Sequence, residues 1–203
     1  IFKETDLNLL HMKRLLFALI GLFTAFSLSS CGYNTMVTKD ENVKGKWAQV
    51  ENAYQRRADL IPNLVSTVKG AAQHEQGTLT AVVEARAKAT SVTVNPDDLS
   101  EESIAKFQQS QDALSQSIGR LLVSVEAYPD LKANSNFQEL QAQLEGTENR
   151  ISVERRSYNE AVQDYNTTVR SFPNNIMAGI FGFKPKGTFQ AVAGSDKAPE
   201  VSF

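Results

Sequence analysis

From Ile104 to Tyr128 the inward positions recur at alternating intervals of three and four: Ile104, Phe107, Gln111, Leu114, Ile118, Leu121, Val125 and Tyr128. A spacing that averages 3.5 residues places all eight on one helix face and packs that face against other helices. Only Gln111 breaks its apolar character. Two further stretches carry the same period. Val43, Trp47, Val50, Tyr54, Ala58, Ile61, Leu64 and Val68 form one stripe. Phe137, Leu140, Leu144, Ile151, Tyr158, Val162, Tyr165, Val169 and Phe172 form another. No run shows the sustained alternation of a half-buried strand, so the fold class is all-α.

Local signals divide the helices. Thr38 and Glu41 have capping-box spacing, which predicts a helix start there. Pro62 lies inside the first stripe and removes the amide that would bond the carbonyl of Ala58, so a kink is expected. Gly70 and Gly77 weaken the pattern before an alanine-rich segment, Leu79 to Ala89, resumes it; whether residues 41–91 form one bent helix or two stays open. Asn95-Pro96-Asp97-Asp98 is a turn signal, and Ser100 with Glu101 and Glu102 predicts a helix beginning near 101. Pro129 ends that helix, Ser135 and Gln138 repeat the capping box, and Pro173 closes the last long helix. Short connections make neighbouring helices antiparallel. The expected architecture is an up-and-down bundle of three long helices plus a shorter one, a four-helix bundle over residues 41–183. Ile176, Ile180, Phe181 and Phe183 are expected to fold over its end, and residues 184–203 form a flexible tail, with Gly194 to Phe203 disordered.

Ahead of the bundle, residues 12–31 read MKRLLFALIGLFTAFSLSSC. Basic Lys13 and Arg14, an apolar run from Leu15 to about Phe26 and a small polar stretch form a secretory signal. At about 1.5 Å per residue, the run falls short of the roughly 30 Å hydrocarbon core. Leu28-Ser29-Ser30-Cys31 resembles the bacterial lipobox, in which the cysteine receives diacylglycerol and the leader is removed just before it. The alternative is an ordinary signal anchor with an incidental cysteine. Residues 1–30 are thus read as upstream extension and signal peptide, Cys31 as the lipid attachment residue, and residues 31–40 as a polar tether. A chain so processed is lipid-anchored in the cell membrane or outer membrane, with its domain outside the cytoplasm.

The first 30 residues hold three of the 21 basic and two of the 23 acidic residues, which leaves 18 and 21 from Cys31 onward. That balance lacks the basic footprint of a nucleic-acid binder. One cysteine and two histidines, His11 and His74, supply neither a disulfide framework nor a Cys/His metal site. His74-Glu75 lacks the second histidine of a zinc peptidase, because position 78 is Thr. A Ser-His-Asp triad would have to draw His74 from a weak helix without a strained nucleophile turn. No carboxylate pair or phosphate-binding glycine loop stands out. No catalytic residue, metal ligand or cofactor is assigned.

One polar feature does stand out. The stripe after Leu144 fails near Thr147 or Glu148 and again near Glu154 or Arg155, while Gln111 and Arg57 interrupt or flank the other stripes. Arg57, Gln111, Glu148, Arg155 and Asn159 are candidates for a buried polar layer. Such a layer either binds a small polar ligand or is a structural network that fixes helix register, since buried charges must be paired.

The run Tyr54 to Val65 (YQRRADLIPNLV), together with Trp47, His74-Glu75, Ala85-Arg86-Ala87, Glu126 to Lys132 (EAYPDLK) and Asn136-Phe137, resembles the LemA family. So do Thr147 to Ile151 (TENRI), Arg155 to Asn159 (RRSYN), Tyr165-Asn166 and Phe172-Pro173. The resemblance covers about residues 43–183. It implies a four-helix bundle, membrane attachment through the N-terminus, and no established enzymatic activity or cofactor. The lipobox departs from the family's common single-span pattern. The expected function is a non-enzymatic, membrane-tethered scaffold of the bacterial envelope whose partner is another envelope protein. The alternative is a binding module for a small or lipidic ligand, using the polar layer or the Phe181-Phe183 end.

Overall fold

The computed structural model describes the backbone of residues 2–71 and 76–190, with side chains at 12, 15, 16, 32–70 and 76–190. His74 and Glu75, the side chain of Cys31 and the tail from residue 191 lie outside the described residues. The helices are α1 (Phe2–Ala71), α2 (Gln76–Ser91), α3 (Glu101–Val125), α4 (Pro129–Lys132), α5 (Ser135–Arg170) and α6 (Asn174–Phe181). Among the described residues there is no strand, and the protein is all-α. Nor is any helix there long and apolar enough to cross a membrane. The chain forms two compact units, Asn42–Gln163 with Lys186–Phe203, and Ile1–Glu41 with Asp164–Pro185.

In the first of these, residues at matching heights give the helix directions. Arg57 of α1 meets Gln111 and Ser115 of α3 and Glu148 of α5, while Trp47 meets Phe107 and Tyr158. Hence α1 and α3 run one way and α5 the other. Arg86 of α2 reaches Ala58, and Ala89 faces Gln111, so α2 also opposes α1 and α3. The apolar stripes meet inside: Ile61, Leu64 and Val68 pack with Leu79 and Val82, with Leu114, Ile118, Leu121 and Val125, and with Leu131, Phe137 and Leu144. Burial of each such side chain contributes about 1.5–3 kcal/mol, which makes this cluster the main source of stability.

Helix ends follow local chemistry. Ser100 caps α3 in an extended conformation, and Glu101 and Glu102 occupy its first turn. Before it, Asp97 N–H bonds the Asn95 side chain and Asp98 N–H its carbonyl, closing the expected turn. At α5 the cap is Asn134 rather than the expected Ser135: Asn134 Oδ1 accepts from the amides of Asn136 and Phe137 at 3.0 and 3.3 Å. The Gln138 side chain donates to Lys132 O instead of completing a box.

Helix α1 continues through Pro62 to Ala71 and gives way to a separate α2 at Gln76. Proline leaves the carbonyl of Ala58 without its helical donor, and Arg86 Nε supplies one at 2.7 Å. A side chain from the next helix thus fills the gap.

The second unit differs from expectation. Residues 31–40, read as a tether, are helical. Met36 is buried, Lys39 pairs with Asp164 of α5 at 2.5 Å, and Thr38 bonds back to Asn34 O at 2.9 Å, so its hydroxyl does not cap a helix start. Tyr33 lies against Phe181 and Phe183, with ring centroids 4.8 and 5.7 Å away. Gly182, at φ 77°, ends α6 in the left-handed conformation that glycine tolerates, and Phe183 N–H then reaches Ala178 O. Tyr165 donates to Lys184 O at 3.1 Å.

Replacing Arg86 with Met should leave Ala58 O unsatisfied and cost about 1–3 kcal/mol in urea unfolding. In a Pro62→Ala background, which restores the backbone donor, the cost of Arg86→Met should fall below about 1 kcal/mol; equal costs in both backgrounds would refute the compensation.

Candidate functional site

Arg57 is 1% exposed, three residues after Tyr54, whose ring lies 5.0 Å below its guanidinium. Burying a cation requires partners at each donor. One terminal nitrogen donates to Ser115 Oγ at 2.5 Å and Glu148 Oε1 at 2.8 Å. The other donates to Gln111 Oε1 at 2.6 Å and Gln111 O at 3.1 Å. The Gln111 amide in turn donates to Ala89 O at 3.2 Å. One cation thereby ties α1 to α3 and α5 directly, and to α2 through Gln111. Among the described residues its Nε has no partner. The Glu148 side chain is 45% exposed, so water screens that ion pair while the contacts to Gln111 stay dry.

Of the five candidate residues, Arg57, Gln111 and Glu148 come together; Arg155 and Asn159 take part in a second arrangement. Lys184 to Gln190, expected within a flexible tail, run without regular secondary structure, and their last residues dock on α3 and α5. Asn159 exchanges two hydrogen bonds with Phe189, its amide to Phe189 O and Phe189 N–H to its Oδ1, both at 2.9 Å. Gln108 does the same with Gln190 at 3.0 Å each, and Arg155 donates to Gln190 O at 2.9 Å. Side chains thus serve as the pairing edge that a neighbouring strand would provide. Tyr158 donates to Gly187 O at 3.0 Å, and burial raises its phenol far above the ordinary range, so it remains a donor.

The strap's purpose is visible at Phe189. Its ring is stacked on Trp47 at 6.0 Å, meets Tyr158 at 5.5 Å and Phe107 at 6.5 Å, and is covered by the Arg155 guanidinium at 4.8 Å. Three helices supply an aromatic cluster and the strap fills it. Gly187 makes the approach possible: a Cβ there would lie 2.5 Å from Glu101 Cα, where its own N–H bonds Leu99 O. The sequence reading missed Ser115, Gln108, Gly187 and Phe189. No periodicity marks them, and only the pairing of a close-approach glycine with a nearby isolated aromatic hints at docking.

The remaining gaps in the α5 stripe are filled locally. Thr147 bonds Gln143 O, and buried Glu154 pairs with Arg150 at 2.6 Å. Beside the Arg57 layer, a cavity of about 120 Å³ is lined by Glu51, Tyr54, Thr90, Phe107 and Gln111 among others. Burial pushes the Glu51 carboxyl up, and the nearby Trp47 indole N–H, one turn earlier, opposes this only in part. A cavity of that size holds a few waters and falls well short of the roughly 300 Å³ at which cofactor pockets begin. A second cavity of about 600 Å³ at the α1–α2 end is lined by Val65, Lys69, Leu79, Val83 and Glu84 among others. Among the described residues no cluster of three or more His, Cys, Asp or Glu side chains is placed to hold a metal.

An all-helical bundle with a buried arginine layer and a C-terminal strap defines the class of protein. The chain belongs to the LemA family, whose profile matches residues 46–203. It is 29% identical over 181 residues to the magnetosome protein MamQ 2 of Paramagnetospirillum magneticum, with 81% of this chain and 66% of that protein covered. MamQ of Magnetospirillum gryphiswaldense is 24% identical, with 75% and 62% covered. Protein LemA of Metamycoplasma hominis is 22% identical, with 79% and 70% covered. The chain therefore spans just under two thirds of the length of these MamQ proteins.

Arg57→Met should cost about 3 kcal/mol or more, because it strands Gln111 and Ser115 inside the bundle. Glu148→Gln, which keeps an acceptor at a half-exposed position, should cost about 1 kcal/mol. Urea unfolding of both variants tests that order. Gly187→Ala should release the strap: expected are a loss of about 1–3 kcal/mol and rapid amide exchange at Phe189. Unchanged protection there would show that the strap accommodates the methyl group.

Proposed function

We propose that this protein is a non-enzymatic scaffold or interaction protein of the bacterial envelope, held to a membrane through its N-terminal segment and working by contact with another envelope protein. The observation that carries this reading is the closure of the Arg57 layer. A ligand site keeps donors and acceptors converging on free space. Here both terminal nitrogens of Arg57 are used by Gln111, Ser115 and Glu148, and Arg155 and Asn159 are used by the strap. Similarity to proteins named for the magnetosome agrees with a role at a membrane-associated assembly. The leader ending in Leu28-Ser29-Ser30-Cys31 supports lipid attachment at Cys31, with the bundle outside the cytoplasm.

A second reading, binding of a small polar ligand, draws on the cavity lined by Glu51, Thr90 and Gln111 and on the unpartnered Nε of Arg57. Its small volume and the occupied terminal nitrogens favour the scaffold reading.

Mass spectrometry of the protein isolated from membranes should find an N-terminus at Cys31 carrying diacylglycerol; an intact leader would refute the lipid anchor. Photo-crosslinking in intact envelopes should capture a specific protein partner that survives Glu51→Gln. Capture of a small ligand alone, lost in that variant, would favour the second reading.

A further inference from the structure

Among the described residues, helix α6 and its flanks present exposed apolar side chains. Phe172 is 81% exposed, Ile176 55%, Ile180 69% and Phe181 53%. Ile176 and Ile180 are spaced by four within α6, so they share one outward face, while Ala178 faces inward and is buried; Phe172 lies in the turn just before the helix. Contiguous exposed apolar surface of this kind marks a contact surface.

Position within the unit identifies what covers it. Tyr33, in ring contact with Phe181 and Phe183, stands seven residues after Phe26, the end of the leader's apolar run. In continuous helix that is about 10 Å, the depth of a headgroup layer. Lipid on Cys31 would place Tyr33 at the same level. Charge agrees: residues 165–190 contain Arg170, Lys184 and Lys186 and no Asp or Glu. Cationic residues beside an apolar helix face suit an anionic bilayer surface.

We propose that α6 lies in the membrane interface, with Ile176 and Ile180 inserted among the lipids and Arg170 and Lys184 at the headgroups, as a second membrane contact beside the N-terminal anchor. This rests on the membrane attachment proposed above. The test uses the full chain isolated from membranes and reconstituted into phosphatidylcholine vesicles containing phosphatidylglycerol, with or without bromine on the upper acyl chain. Wild type has one tryptophan, Trp47, which is 0% exposed, and its emission should be unaffected by bromine. Ile180→Trp, at an exposed position that tolerates substitution, should add emission that brominated lipid quenches about twofold, and less when phosphatidylglycerol is omitted. A variant that floats with the vesicles but is not quenched overturns the proposal, assigns the face to a protein or a second copy, and leaves the anchor intact. A chain that stays in the soluble fraction overturns both.

Discussion

A cation removed from water has to be met by acceptors in fixed places, and Arg57 imposes that demand on the bundle. Apolar stripes with an average spacing of 3.5 residues repeat after each heptad, so packing alone discriminates weakly between registers displaced by seven residues. The Arg57 layer breaks that degeneracy. Any such slip would move Gln111, Ser115 or Glu148 away from the guanidinium and leave a buried charge without partners, at a cost of several kcal/mol. Gln111 extends the constraint to α2 through Ala89 O. The layer contributes more to specifying a single arrangement than to net stability, since a buried polar network at best offsets its own desolvation.

Two other features compensate for local defects with groups distant in sequence. Pro62 opens the hydrogen-bond ladder of α1, and Arg86 closes it from α2. Trp47, Phe107 and Tyr158 converge where their helices cannot fill the space, and Phe189 enters it. In the first case the missing amide of residue 62 creates the opening, and in the second the missing Cβ of residue 187 lets the filling segment pass close to the start of α3. Proline and glycine here mark the places where another segment must arrive.

Most of the fold was legible in the sequence because helix packing is periodic. The stripes through Val43, Ile104 and Phe137 fall on buried faces except at Phe172, expected to end the last stripe but 81% exposed because α5 stops at Arg170, and the start of α3 at Glu101 follows from a capping serine and two acids. The polar layer was legible as a gap in that period, which is why Arg57, Gln111 and Glu148 could be picked out. Arg155 and Asn159 left the same signature, yet they serve the strap, because a gap reveals a polar demand and not the group that meets it. The strap was read as flexible: a segment that bonds through side chains at irregular intervals has no period to detect. Residues 31–40 were read as a tether because their polarity hides a helix stabilised by Met36 and by the Lys39–Asp164 pair.

The position of Phe189 along the chain has a bearing on biogenesis. Trp47 belongs to the first helix of the bundle, yet the ring stacked on it follows all six helices found among the described residues. A polypeptide made from its N-terminus cannot complete this aromatic cluster until all of those helices have emerged. If the leader directs export, that order delays final closure of this cluster until almost the whole bundle has been delivered.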